Sequence, residues 1–201
     1  MANVDDSERY AMDWFVEGAK LRVAEPTASE LSAQANALAA YYNEPTNRAL
    51  LTNERDFSAE DVAAHFALLR AEGGRPFLMF EDDSLIGDSD LRRVERHEAE
   101  FAILVGARDR QGRGRGTLLS VMVHALAFGR LALEKVYVSV RPENLGSLRM
   151  LAKVGYSLDA TSEARRYADA LDDVCLSVDA WSFQAGAAHR LPTGSIRVTV
   201  R

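Results

Sequence analysis

The chain has 201 residues, 47% hydrophobic and 27% charged, which is enough for one domain, or one domain with appendages, whose core needs no covalent staple. Its 24 Lys and Arg against 30 Asp and Glu leave a net charge of −6, which excludes a general nucleic-acid binder, since such a protein needs a basic face. The single cysteine, Cys175, excludes an internal disulfide and an all-cysteine zinc site, and no run of 18 apolar residues is present to cross a membrane.

The opening stretch MANVDDSERY is acidic and lacks the basic-then-apolar pattern of a secretory leader, so the expected compartment is the cytoplasm. Residues 1–19 read as an arm that packs locally through Trp14, Phe15 and Val16. Leu21-Arg-Val-Ala24 alternates and then meets Pro26, which predicts a short strand. Thr27-Ala-Ser-Glu30 is a capping box before an Ala/Leu-rich helix ending near Tyr42, and Pro45 closes it because proline disfavours the α conformation just before itself. Ser58-Ala-Glu-Asp61 opens a second helix, with Val62, Phe66 and Leu69 on one face and Gly73-Gly74 as its stop.

From residue 76 the pattern changes. Phe77–Phe80 reads as a strand, Glu81–Ser84 as a turn, and Leu85-Ile86-Gly87 as the start of another strand; a further strand runs from about 98 to 105. After a glycine-rich loop come an apolar helix over 117–133, a β-branched strand at Val136–Val140, a helix over 144–153 stopped by Gly155, and a strand at 174–178. Beyond a Pro-Thr-Gly turn, Ile196–Val200 alternates like one more strand. The order predicts a mixed α/β (α+β) fold, divided into an arm (1–19), a main domain (20–179) and an extension (180–201). The last strand must bury its apolar face on its own sheet edge or on a neighbouring subunit. With Ala180–Gly194 long enough to serve as an arm, the exchange, and hence a homodimer, is the favoured expectation.

The sharpest feature is Arg110-Gln-Gly112-Arg-Gly114-Arg-Gly116-Thr117, between a strand and a helix. Alternate glycines leave backbone N–H groups uncovered, the helix adds unpaired N–H groups and the positive end of its dipole, and Arg108, Arg110, Arg113 and Arg115 reverse the local sign of an acidic chain. That is a site for a phosphate or pyrophosphate. A Walker loop is set aside because no lysine precedes Thr117, and a dinucleotide fingerprint because the glycines fall as GxGxG. A solvated surface loop remains the alternative.

Gln111-x-x-Gly114-x-Gly116 matches the Q/R-x-x-G-x-G/A motif of the GCN5-related N-acetyltransferase (GNAT) family. Around it, Ala99-Glu100…Val105-Gly106 and Asn144…Ser147…Leu151…Lys153-Val-Gly155-Tyr156 occur in the family's order, and the chain resembles the branch that acetylates ribosomal proteins, polyamines and amino sugars over roughly residues 20–179. The resemblance implies the acyl-CoA N-acyltransferase fold, a splayed mixed sheet flanked by helices. It implies acetyl-CoA as co-substrate and no metal. The pyrophosphate would lie on the loop of Gly112, Arg113, Gly114, Arg115, Gly116 and Thr117, the pantetheine on the strand at Ile103, Leu104 and Val105 and by Asn144, and the motif's Gln111 would also belong to the cofactor site.

The implied reaction is acetyl transfer to a primary amine of a protein N-terminus, polyamine, amino sugar or aminoglycoside, with no nucleic-acid or membrane partner. Glu100 holds the family position of the carboxylate base and is favoured for that role over the alternative of a solvent-facing strand glutamate. Ser147 matches a proton donor used in part of the branch, or it caps its helix. Many relatives carry a tyrosine where this chain has Leu151, so a degenerate acyl-CoA-binding sensor is the competing function. His97 reads as a loop histidine and weak base candidate; Tyr156, His65, His124 and Cys175 read as packing residues.

Overall fold

A computed structural model of the protein describes residues 8–51, 55–187 and 196–201. Strands β1 (Tyr10–Val16) and β2 (Ala19–Ala24) form a hairpin over Glu17-Gly18, both at positive φ, as a tight turn between twisted strands requires. Helix α1 (Ala28–Asn43) starts with the expected capping box. Thr27 Oγ1 accepts from the Glu30 N–H at 3.1 Å, and the Glu30 carboxylate accepts from the Thr27 N–H at 2.7 Å. Pro45 ends α1 and opens a short α2 (Pro45–Leu51), where its missing N–H costs nothing. Helix α3 (Ala59–Ala71) carries the reciprocal box between Ser58 and Asp61.

An antiparallel meander follows: β3 (Arg75–Glu81), β4 (Ser84–Glu95) and β5 (Glu98–Val105). Then come α4 (Arg115–Gly129), β6 (Lys135–Val140), α5 (Leu145–Val154), β7 (Ser157–Leu158), α6 (Ser162–Arg165), β8 (Val174–Asp179), α7 (Ala180–Ala187) and β9 (Ile196–Val200). The sheet order is β7-β8-β6-β5-β4-β3-β2-β1-β9. One face carries the main core. Helix α4 lies buried there with Leu119, Val121, Met122, Val123 and Leu126, against Leu21, Phe77, Phe101 and Val136. On the opposite face α1 and α3 pack Leu38, Val62 and Phe66 onto Leu78.

The site is positioned by one break in the sheet. β5 and β6 are parallel neighbours for three residue pairs, ending at Glu100 opposite Tyr137. Beyond that point β5 stays with β4 as far as Val105 and β6 stays with β8 as far as Val140, so the two strands splay apart. Right-handed twist makes such a divergence open a wedge between the strand ends. Among the described residues no helix is long and apolar enough to cross a membrane.

Two expectations about the chain ends change. In the stretch read as an arm, residues Tyr10–Val16 form a full strand, with Met12 and Trp14 buried in the main core. At the other end, β9 pairs antiparallel with β1 of its own chain from Tyr10 opposite Val200 to Trp14 opposite Ile196, the own-edge alternative for this strand. The free edge of β1 offers unpaired N–H and C=O groups, which β9 completes. Residues 180–187, expected to belong to a connecting arm, are helix α7; the Pro-Thr-Gly turn lies outside the described residues. Helix α7 crosses the end of α5 at two glycines: a Cβ on Gly186 would come within 2.7 Å of Gly155 Cα. Gly155 itself, at φ 113°, is the expected stop of α5.

Candidate active site

The wedge between β5 and β6 holds a cavity of about 390 Å³. One side is Phe101–Leu104 of β5 and Val138–Val140 of β6. The floor is Asn144, Ser147, Met150 and Leu151 of α5. The far wall is Asp88, Ser89, Asp90 and Arg92 of β4, under Tyr42 of α1 and His65 of α3. Ile103, Leu104, Asn144 and Ser147, all expected at the site, are thus brought together. Asn144 is also the N-cap of α5: its Oδ1 accepts from the Ser147 N–H at 3.1 Å, so the cap is the asparagine and the serine side chain is not needed for it. Leu151 is buried in the same floor.

The glycine loop joins the end of β5 to α4, and its shape follows from close packing. Gly106 passes Tyr41 so tightly that a Cβ there would lie 2.4 Å from Tyr41 Cβ. Fully buried Asn47 of α2 donates to the carbonyls of Tyr41 (2.9 Å) and Gly106 (3.1 Å). Gln111 Nε2 donates to Asn47 Oδ1 (2.9 Å) and to the Val105 carbonyl (2.7 Å), while its Oε1 accepts from Arg108. The motif glutamine therefore clamps the loop to the strand end, with its carboxamide turned inward. Gly112 and Gly114 sit at φ 73° and 80°, and nothing lies within 4 Å of where their Cβ atoms would be, so this backbone faces open space. Gly114 caps α4, accepting from the N–H groups of Thr117 and Leu118. The N–H groups of the first helical turn ahead of them have no partner within the helix. Thr117 has its N–H bonded and its side chain buried, so it builds the loop from within.

The arginines divide in two. Arg110 and Arg115, expected to face a bound anion, turn back onto buried Glu81, at 3.0 and 2.7 Å, and Arg115 also reaches Glu17 at 3.0 Å. Arg108 and Arg113 are exposed beside the loop. Glu81, read as part of a turn, is instead the loop's anchor, and only Asp82 and Asp83 make the turn.

The opposite wall is acidic. Tyr42 Oη donates to Asp88 Oδ2. Among the described residues, Asp88 Oδ1 and Asp90 Oδ1 have no hydrogen-bond partner; the nearest cation to Asp90 is Arg92 Nε at 3.7 Å. Burial pushes both carboxyls up to about 7, with Arg92 drawing Asp90 down and Tyr42 drawing Asp88 down. Glu100 is held differently. Its Oε1 accepts from Arg92 Nη2 at 2.8 Å, and its Oε2 lies 3.2 Å from Arg93 Nε. Burial raises its pKa against the pull of both arginines. Its carboxylate faces those arginines, and the cavity wall is made by its neighbours Phe101 and Ala102.

Asp88 and Asp90 escaped the sequence reading, which followed the strand only to Gly87. The available signal was two aspartates two residues apart between Ile86 and Leu91, on one face of a strand where aspartate is disfavoured. Among the other candidates, His97 lies in the turn before β5, and its carbonyl accepts from Glu134. His124 is buried in α4 between the Ser120 carbonyl and Tyr156 Oη, each at 2.7 Å, and burial lowers its pKa to about 4. It therefore stays neutral, donating from Nδ1 and accepting at Nε2 from the tyrosine.

Known proteins share this architecture. The M. smegmatis RimJ structure in complex with CoA-disulfide superposes with a TM-score of 0.72 at 21% identity, covering 95% of this chain and 96% of that one. The aminoglycoside acetyltransferase AAC(6')-Ib in complex with coenzyme A gives 0.67 at 16% identity, covering 82% and 98%. The Vibrio cholerae spermidine N-acetyltransferase in complex with CoA and spermine gives 0.64 at 18%, covering 81% and 97%. In sequence, the chain is 29% identical over 118 residues to the Bacillus subtilis (strain 168) protein named probable N-acetyltransferase YjcK, a match spanning 58% of this chain and 60% of that protein. Residues 24–157 match the family described as "Acetyltransferase (GNAT) domain", and the chain belongs to that family.

Proposed function

We propose that the protein is an acetyl-CoA-dependent N-acetyltransferase acting on a primary amine. The observation that carries the reading is the wedge where β5 and β6 part, with an open glycine-backed helix start at one end and buried carboxylates on its wall. The residues present fit the co-substrate. The N–H groups at Gly112, Gly114 and Gly116, with Arg113 beside them, would hold the pyrophosphate; Ile103, Leu104, Val105 and Asn144 would hold the pantetheine arm. Acetyl-CoA supplies an acyl group already activated as a thioester. Backbone N–H groups of β5 beyond the splay, free of β6, are the donors for the thioester oxygen. Ser147, on the cavity floor, is the candidate donor to the departing thiol. The acidic wall favours an acceptor that arrives as an ammonium. Relatives of this fold named for aminoglycosides and for spermidine agree with that class.

The test mixes protein and acetyl-CoA with spermidine, kanamycin and a peptide bearing a free N-terminus, and follows thiol release. Saturable release with at least one amine is expected. Saturable CoA binding without release would favour the sensor reading, for which Leu151 in place of a tyrosine speaks. In the same assay Gly114→Val should weaken CoA binding about 5- to 100-fold, because a side chain there fills the open face and strains a left-handed backbone. Unchanged calorimetric affinity would move the cofactor elsewhere.

A further inference from the structure

We propose that Asp88 and Asp90 form the ammonium-binding pair of the acceptor site, and that Asp90, rather than Glu100, takes the proton from the attacking amine. The proposal rests on the acetyltransferase reading. The register places the pair: Asp90 lies opposite Ala102 and Asp88 opposite Leu104, so both carboxyls stand across from the part of β5 that has left β6. Both side chains are more than nine-tenths buried, both residues line the cavity, and each keeps one oxygen without a hydrogen-bond donor. Among the described residues, Ser89 Oγ, Arg92 Nε and Glu100 Oε2 are likewise without a hydrogen bond. Buried polar atoms are normally satisfied, so this cluster marks a place where a partner arrives with the ligand, and the two aspartate oxygens are its carboxylate members beside the cavity.

Their surroundings assign different work to the two. Asp88 is tethered through Oδ2 to Tyr42, which fixes it as a binding group. Asp90 has no such tether: Arg92 bonds Glu100 through Nη2 at 2.8 Å, while its Nε, which makes no hydrogen bond among the described residues, lies 3.7 Å from Asp90 Oδ1. The groups facing the pair are Tyr42 from α1, His65 from α3, Arg92 on β4, Glu100 on β5, and Asp169 and Asp173 from the loop before β8. Asp169 is itself paired to Arg93 at 3.0 Å, and Asp173 accepts from Ser139. Glu100, holding Arg92 and Arg93, acts through them as a positioning residue. A carboxyl buried enough to titrate near neutrality is matched to removing a proton from an ammonium at physiological pH.

The step balances as follows. The ammonium gives one proton to Asp90 Oδ1, and the freed lone pair forms the amide C–N bond as the thioester C–S bond breaks. The nitrogen's second proton leaves with the thiol, and Asp90 returns its proton to water.

Kinetics of Asp90→Asn, Asp88→Asn and Glu100→Gln with spermidine, kanamycin and the peptide test this, alongside calorimetric titration of the CoA-saturated proteins with spermine. Asp90→Asn should lower kcat about 100-fold, keep CoA affinity, and erase the limb of the pH profile near 7. Asp88→Asn should raise acceptor KM at least 10-fold with a smaller loss of kcat. Glu100→Gln should keep the limb near pH 7. If Asp90→Asn keeps both rate and limb while Glu100→Gln loses them, the assignment is overturned. If the wild type acetylates none of the amines, the activity reading fails by itself, and spermine still judges the pair: equal affinity in wild type, Asp88→Asn and Asp90→Asn would overturn it, and a 10-fold or greater loss in either variant would sustain it. Binding of CoA and unchanged circular dichroism confirm that each variant is folded.

Discussion

The two ends of the wedge are built on opposite principles. At the loop end the strong groups other than exposed Arg113 are tied internally: Glu81 holds Arg110 and Arg115, Gln111 is bonded at both ends of its carboxamide, and Asn47 ties the loop to α1 and α2. What it leaves open is backbone, the N–H groups around Gly112 and Gly114. At the β4 end the side chains themselves are left unsatisfied, with Asp88 and Asp90 each keeping an orphan oxygen away from water. A nucleotide-bearing co-substrate that is always the same can be met by a rigid backbone cradle. An acceptor that arrives as an ammonium, as proposed, would be met by charge that is costly to bury until the cation binds. Stability should therefore be concentrated at the loop end and reduced at the acidic end.

The largest effect that would expose this contrast is at Glu81. Glu81→Ala leaves Arg110 and Arg115 beside a buried gap, and removing one partner of a buried ion pair costs about 3–5 kcal/mol. Denaturant unfolding should show a loss of that order, together with weaker CoA binding as the loop loosens. A variant as stable as wild type would mean that the two arginines are held by the loop and not by Glu81.

The acidic end should behave in the opposite way. Asp90 is raised from 3.8 to about 7, so the folded state binds its proton more tightly than the unfolded state does. Its contribution is fully favourable below about pH 4 and is lost as pH rises through 7. Asp90→Asn should therefore stabilise the protein at pH 8, by up to about 4 kcal/mol, and should make little difference at pH 4. Thermal melts of both proteins across that range give the sign directly. A destabilised Asp90→Asn at pH 8 would show that Arg92 satisfies the carboxylate in the folded state. A gain in stability with a loss of rate is the trade expected of a group kept for chemistry.

Legibility in the sequence follows the same division. Both capping boxes, the glycine motif, the β5 and β6 strands and the Gly155 stop could be read because each depends on local backbone chemistry at fixed spacing. Those local signals extend to the splay residues Ile103, Leu104, Asn144 and Ser147 only through family likeness. Glu81, Asn47, Asp88 and Asp90 could not be placed this way. What makes them functional is burial and partners far away along the chain, as when Glu81 meets Arg115 across 34 residues or Asp88 meets Tyr42 across 46. β1 was missed for a related reason: Ala11-Met12 and Trp14-Phe15 place apolar residues side by side, hiding the alternation of a strand whose Met12 and Trp14 are buried and whose Phe15 is exposed.

The smallest effect concerns β9, far from both ends of the wedge. Ile196 and Val198 are half-buried against the main core, the strand pairs with five residues of β1, and Arg201 reaches Glu30 of α1 at 2.8 Å. Backbone bonds lost on removing the strand are largely replaced by water, and the exposed ion pair contributes little, so two half-buried aliphatic side chains set the scale at about 2 kcal/mol. A protein ending at residue 195 should melt a few degrees lower with its acetyl-transfer kinetics intact. It should also self-associate more, because β1 would then present an unpaired, partly apolar edge next to exposed Phe15. Sedimentation reads the second effect. A full-length protein that is dimeric and becomes monomeric on truncation would show instead that β9 pairs between subunits in solution. Equal stability and equal association state before and after truncation would show that β1 does not depend on the tail for its edge.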